Sequence, residues 1–117
     1  MKYMLLIHGA EDAAPAPGSP EFEPFMQGYF ALSQELTNDG ALIAGEGLQD
    51  AHTASTVTVR DGKTITRDGP FAETKEVMGG FYLIECDNLD QAIAYAAKIP
   101  SATYGAVEIR PVMDYGQ

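Results

Sequence analysis

Four adjacent polar residues, Glu73 to Glu76, are the part of this 117-residue sequence best suited to chemistry. They lie in the stretch RDGPFAETKEVMGG, after a Gly-Pro turn and before a Gly-Gly pair. Thr74 and Lys75, flanked by two glutamates, can bind a polar ligand. Lys75 could neutralise a substrate anion, and Glu73 or Glu76 could act as a general base if partly buried. Loops on a rigid scaffold often carry functional groups, whereas the alternative is an ordinary set of solvated loop charges.

The residues that precede this polar group have a structural explanation. Asp68 is a residue type that accepts backbone hydrogen bonds in turns, and Pro70 is expected to force Gly69 towards extended geometry. Phe71 is expected to anchor the loop in the core. Asp68 remains a ligand-binding candidate as part of the same motif, and the Gly79-Gly80 pair predicts a close backbone approach or a bulge.

Three further residues are ligand-binding candidates elsewhere in the chain. His8 ends the first predicted strand, where a sheet edge could meet a cleft; a hydrogen-bonded structural histidine is the alternative. Glu46 lies between glycines in GEGL and could face an interior cavity. Tyr29 lies on the first predicted helix, and its alternative role is packing, with the hydroxyl needing a partner.

Metal and cofactor chemistry is not indicated by the sequence. His8, His52 and nearby carboxylates match no spacing of metal ligands. A glycine-rich phosphate loop and a nucleophile elbow are also missing from the sequence, so we expect no metal and no cofactor.

Composition and charge limit the classes of partner. The hydrophobic fraction of 45% and the length fit one domain over residues 1–117. The net charge of −10 would repel nucleic acid and anionic membranes. This charge is uneven, because the segment from Arg60 to Glu76 is neutral whereas three basic residues face thirteen acidic ones elsewhere. If any region receives a small anion, we expect it to be this segment.

The single cysteine and the N-terminus bear on where the protein works. Cys86 cannot form an intrachain disulfide, and its place at the end of an apolar run predicts a buried, unreactive thiol. The opening MKYMLLIHG lacks a full signal-peptide core and is far shorter than a membrane span. We therefore expect a cytoplasmic protein.

Hydrophobic periodicity and turn residues predict the elements that must position these groups. Gly40 is expected to end the first helix in a left-handed conformation, and Asp61-Gly62 is a favoured two-residue hairpin turn. Asn88 and Gln91 are spaced as a capping box for the second helix, whose buried stripe is expected to be Leu89, Ile93, Ala96 and Ala97. The predicted elements are strands at 2–9, 41–48, 79–86 and 105–112, a hairpin at 55–67, and helices from about 19–23 to 38 and from 88 to 100.

This order predicts an α+β domain of the ferredoxin-like, split βαβ kind. The hairpin is inserted between two β-α-β units, and the sheet should be antiparallel with both helices on one face. Because strand residues on both sides are apolar, the other face of the sheet needs a cover. We expect a second subunit to pack there, which makes the protein a homodimer.

The string DGPFAETKE at residues 68–76 resembles the YCII-related superfamily, in the branch often named after that string. The resemblance covers almost the whole chain, including MKYMLLI, ELTNDGAL, GEGL, TVTVRDGK and AAKIPSATYGAVEIRPV. It implies a dimeric α+β barrel built on the ferredoxin-like unit. The wider superfamily is associated with a His–Asp pair, but Tyr29 stands at the helical position of the His and Ile99 at that of the Asp. The pair therefore does not carry over to this sequence.

Two functions follow as hypotheses, and whether the protein is an enzyme stays open between them. The first is binding or transformation of a small polar, anionic or aromatic molecule in the barrel cavity. The second, implied by the resemblance, is a non-catalytic accessory role beside an extracytoplasmic-function sigma factor.

Overall fold

The computed structural model describes residues 1–116 and has an α+β architecture, as predicted. Alternating and β-branched runs form the strands, and apolar residues at helical spacing form the helices. The order of elements along the chain matches the prediction. The elements are β1 (Lys2–Gly9), α1 (Phe22–Asn38), β2 (Leu42–Gly47), β3 (Ser55–Arg60), β4 (Lys63–Asp68), β5 (Val77–Glu85), α2 (Leu89–Ala96) and β6 (Ala106–Pro111), with short 3-10 turns at Ala51–Thr53 and Pro100–Thr103.

Four strands form one antiparallel sheet in the spatial order β2-β5-β1-β6. The predicted antiparallel sheet is therefore confirmed. In the register of β1 and β5, Leu5 lies opposite Tyr82, and Ile7 lies opposite Gly80. A bulge follows, because His8 pairs with Met78 and Gly79 is left unpaired. Gly80 also approaches β2 closely, since a Cβ there would lie 2.8 Å from the carbonyl oxygen of Glu46. Both predicted roles of the glycine pair are confirmed.

The core lies between one face of this sheet and the two helices. Alternate residues of β1 face the helices, and Leu5 at the centre is 0% exposed. They pack with apolar residues from α1, α2 and β5 into a single cluster. On the opposite face, Met4, Leu6, Phe81 and Leu83 are half-buried. This apolar face has no second layer within residues 1–116.

Local signals at the helix ends are largely confirmed. Gly40 has a φ of 70° just after α1, and the Asn88 side chain accepts a hydrogen bond from the Gln91 N–H at 3.0 Å. The predicted buried stripe of α2 is partly wrong, because Leu89 and Ile93 are each 49% exposed. Ala97 is exposed as well, whereas Ala96 is buried as predicted and Ala92 is buried without having been predicted. The helix packs through these two small side chains, so the larger ones on its flank face outward.

The hairpin of β3 and β4 forms a separate two-stranded sheet, here called the hairpin arm (Ser55–Asp68). Asp61 and Gly62 have φ values of 52° and 75°, which confirms the predicted tight turn. Every residue of the arm is exposed or half-buried. The molecule is correspondingly flat and broad, measuring 48 × 46 × 18 Å along its principal axes.

The loop after the arm differs from the prediction in two respects. Gly69 has a φ of 97°, so it takes a positive-φ conformation open to glycine rather than an extended one. Phe71 is 79% exposed and does not anchor the loop in the core of this chain. Arg67 explains the loop's course, because its Nη2 donates hydrogen bonds to the carbonyls of Pro70 and Phe71, each at 2.9 Å. The loop is therefore tied to the arm and not to the core.

Two observations bear on location and on the cysteine. Within residues 1–116, no helix has both the length and the apolar character needed to cross a bilayer. Cys86 is a free, half-buried thiol, so the prediction of a fully buried one is wrong. Desolvation raises the pKa of this thiol, which disfavours the reactive thiolate.

Candidate functional site

A cleft of about 600 Å³ lies where the ends of β1, β2 and β5 meet α1. Glycines keep this end of the sheet open, because Gly45, Gly47, Gly79 and Gly80 present no side chains to the cleft. The Tyr82 ring packs against Gly45, where a Cβ would lie 2.8 Å from ring atom Cδ1. The bulge at Gly79 and the glycines of GEGL thus make room that larger residues would fill.

Tyrosine and serine hydroxyls line one wall of the cleft. The Tyr29 hydroxyl and Ser101 Oγ lie 2.6 Å apart, and Ser33 Oγ lies 3.2 Å from the Tyr82 hydroxyl. Tyr104 adds a fifth hydroxyl, and the Tyr29 ring makes an edge contact with Phe25. Burial raises the pKa of Tyr29, so this phenol stays protonated and can donate a hydrogen bond. Such a wall can bind a flat molecule through its ring and its polar groups at once.

His8 lines the cleft, and its side chain contacts β6. Its Nε2 is screened from solvent and lies 3.3 Å from Glu108 Oε1. The other Glu108 oxygen accepts a hydrogen bond from Arg110 Nε at 2.7 Å. That bond, the arginine charge and His8 together lower the pKa of Glu108, so the carboxylate is held ionised. An ionised carboxylate orients the histidine ring beside it, which is the arrangement used by general bases.

The charge of the cleft is negative. Glu11, Glu46 and Asp50 line it, and of the residues that the structure describes, no lysine or arginine does. One carboxylate oxygen of Glu11 already has a protein partner, because Oε2 accepts a hydrogen bond from the Ala51 N–H at 2.7 Å. A site of this kind disfavours an anion and accepts an uncharged or cationic group.

Three of the predicted site residues, His8, Tyr29 and Glu46, meet at this cleft although 38 positions of sequence separate the outer two. The other five lie outside it in this chain. Asp68 ends β4, and Glu73 to Glu76 are exposed on the loop between β4 and β5. Thr74 Oγ1 donates to the Glu76 carbonyl at 2.5 Å, which is a local loop contact. A ligand role for these five stays a prediction.

The hydroxyls of Ser33, Ser101 and Tyr104 were not among the predicted site residues. Ser33 carried a signal, because a serine interrupts the apolar face of α1 at a position that should be buried. Ser101 and Tyr104 carried none, since they lie in a short irregular segment before β6. A metal centre is not formed by the described residues 1–116, which contain no group of three or more histidine, cysteine, aspartate or glutamate side chains close enough to share an ion.

Fold and cleft define a small α+β protein with a half-covered antiparallel sheet and a polar, aromatic-lined cavity. Comparison with known proteins identifies the family. Residues 1–115 match the YCII-related domain, and the chain belongs to that family. It is 36% identical over 117 residues to an uncharacterised protein of Rhizobium meliloti, and the match covers 98% of this chain and 94% of that relative.

Proposed function

We propose that this protein binds a small, flat, polar molecule in the cleft beside α1. The observation that carries the proposal is the hydroxyl wall of Tyr29, Ser33 and Tyr82 in a cavity of about 600 Å³ that His8 also lines. This size is within the range of small-molecule sites, roughly 300–1,000 Å³. Aromatic rings would stack on the ligand while the hydroxyls fix its orientation.

The expected ligand is uncharged or cationic. Three carboxylates line the cleft, and its described lining includes no basic side chain to balance them. The sequence-based expectation of an anion depended on Lys75, which lies on an exposed loop outside this cavity. If chemistry follows binding, His8 is the group placed to move a proton, with Glu108 behind it.

A ligand screen by thermal shift tests this proposal. The library should contain matched uncharged, cationic and anionic single-ring compounds. Tyr29→Phe removes one hydroxyl from the cleft and should weaken binding about fivefold, which corresponds to one hydrogen bond of about 1 kcal/mol. Tyr115→Phe is the matched control, because Tyr115 is exposed outside the cleft. Anionic hits that depend on Lys75 and ignore Tyr29 would overturn the proposal.

We also propose that the chain forms a homodimer through the uncovered face of its sheet. Met4, Leu6, Phe81 and Leu83 support this, because they form a half-buried apolar surface next to the cleft. Packing of two such faces would give the dimeric α+β barrel implied by the resemblance. A light-scattering mass near that of one 12.6 kDa chain at micromolar concentration would contradict it.

The finer family and cellular assignments are part of the same proposal. The string at 68–76 supports placement in the DGPFAETKE branch, and the charge of −10 supports a cytoplasmic protein without nucleic-acid or membrane partners. The accessory role beside a sigma factor makes no use of the cleft. Pull-down with wild type and Tyr29→Phe separates the two functions, since a sigma-factor partner would be captured equally by both.

A further inference from the structure

The hairpin arm leaves large apolar side chains uncovered. Val57 and Val59 are each 59% exposed and Ile65 is 49% exposed, and Phe71 at the foot of the arm is more exposed still. A two-stranded hairpin alone is only marginally stable in water. Exposed β-branched and aromatic residues on such an element favour an interaction surface.

The register of the arm sorts its residues into two different faces. Val57 pairs with Thr66 and Val59 with Thr64, so one face carries the two valines and no basic residue, with Asp68 opposite Ser55 at its base. On the other face, Arg60 pairs with Lys63, and Arg67 pairs with Thr56 beside Ile65. Three of the seven basic residues of the chain therefore lie on one face of one hairpin.

The charge of the rest of the chain indicates which partner this basic face fits. The arm has three basic and two acidic residues, which leaves four basic and fifteen acidic residues outside it. Two copies of the chain repel each other overall because both are acidic. The basic face of the arm can attract an acidic surface of the other copy and so overcome this repulsion locally. A phosphate polymer would be repelled by the remaining acidic surface of the same molecule.

We propose that the hairpin arm docks onto an acidic surface of a second copy of this chain. The arm starts beside the cleft, because Asp50 lines the cleft and Ala51–Thr53 lead directly into β3. Six-residue strands extend it by about 20 Å. That reach is sufficient to cross an interface, and the bond from Gly69 N–H to the Ala54 carbonyl at 2.7 Å closes the base of the arm. Ile65, which lies on the basic face between Lys63 and Arg67, would be buried by the docking.

This inference rests on the proposed homodimer and names an element that holds it together. The test is a dilution series measured by light scattering. Arg60→Glu/Lys63→Glu reverses the charge at the arm tip and should weaken dimerisation at least about tenfold. Arg67 is left unchanged because it holds the loop carbonyls of Pro70 and Phe71.

Lys75→Glu/Lys98→Glu is the matched control, because it changes the net charge equally without altering the arm strands. It should weaken dimerisation less than about threefold. Equal weakening by the two pairs, or none by the arm pair, would overturn arm docking and leave the sheet-face dimer standing. A monomeric wild type would overturn both proposals.

A second measurement does not depend on charge. A photo-crosslinking amino acid at position 65, on the basic face of the arm, should yield a covalent dimer on irradiation, whereas the same amino acid at Ile93, which is equally exposed on α2, should yield much less. Covalent dimer from Ile93 alone would contradict docking through the arm. Circular dichroism and thermal melting establish that each variant folds before either measurement is interpreted.

Discussion

The sheet body and the hairpin arm are built from the same kinds of residue but differ in what covers them. In β1, Leu5 is packed between neighbouring strands and helices and is 0% exposed. In β3, Val57 belongs to an equally regular strand, with its hydrogen-bonded partner in place, but is 59% exposed. Strand pairing therefore supplies backbone hydrogen bonds in both regions, whereas burial of side chains stabilises only the body of a single chain.

The difference shows which region stabilises the single chain and which region is available for assembly. A body with a dense core can hold a cleft open with glycines, because its stability comes from packing elsewhere. The arm gains no such stability from packing within the described residues, since none of its side chains is buried. Its residues are accordingly free to serve an interface.

The largest expected effect compares one core residue with one arm residue. Leu5→Ala should lower the free energy of unfolding by about 3 kcal/mol, because it leaves a cavity in a fully buried site. Ile65→Thr should lower it by less than about 0.5 kcal/mol in dilute protein. Urea denaturation at several protein concentrations measures both. An Ile65→Thr cost that grows with concentration would show that the arm is covered by a second chain. Similar costs for Leu5→Ala and Ile65→Thr at high dilution would remove the contrast between the regions.

A second comparison uses one glycine from each region. A Cβ at Gly105 in the body would lie 2.1 Å from the His8 carbonyl oxygen, so Gly105→Ala must displace backbone and should cost about 2–3 kcal/mol. Gly62→Ala in the arm meets open space but has a φ of 75°, and should cost about 1 kcal/mol. Gly79→Ala, with open space and no positive φ, is the control. Thermal unfolding ranks the three, and a cost at Gly62 above that at Gly105 would be inconsistent with the close contact between β1 and the segment before β6.

Local chemistry explains what could be predicted from the sequence. The arm follows from β-branched runs around Asp61-Gly62, and the end of α1 follows from Gly40, because the controlling interactions lie within a few residues. The covering of these elements is not local. Phe71 fits a core anchor by its type, but the hydrogen bonds from Arg67 direct its loop away from the body.

The cleft shows the same limit. His8, Tyr29 and Glu46 were predicted as separate candidates, and the sheet order brings them to one cavity. The bonds of Tyr29 to Ser101 and of Ser33 to Tyr82 join residues 72 and 49 positions apart, so no sequence window contains both partners. The polar group at residues 73–76 identifies a distinctive motif, and its function stays a prediction because the loop lies apart from the cleft in a single chain.

The smallest expected effect concerns a hydrogen bond between two side chains, which joins α2 to the end of α1. Among residues 1–116, the arm has no hydrogen bond between two side chains. The Tyr95 hydroxyl on α2 donates to Asp39 Oδ2 just after α1 at 2.5 Å. This hydrogen bond, with burial and the nearby carboxylate charges, raises the pKa of Tyr95 from 10.0 to about 12. Because the folded pKa is raised, the bond stabilises the fold fully below pH 10 and is lost as the pH rises towards about 12.

Tyr95→Phe should therefore lower the melting temperature slightly at neutral pH, with the difference from wild type shrinking between about pH 10 and 12. Tyrosinate absorbance should lose its highest-titrating component in this variant and keep it in Tyr115→Phe. The effect is small because the pair lies near the surface, where solvent screens the interaction. A difference that grows with pH would contradict a stabilising role for this hydrogen bond, and would leave burial of Ala92 and Ala96 as the interaction that holds α2 in the body.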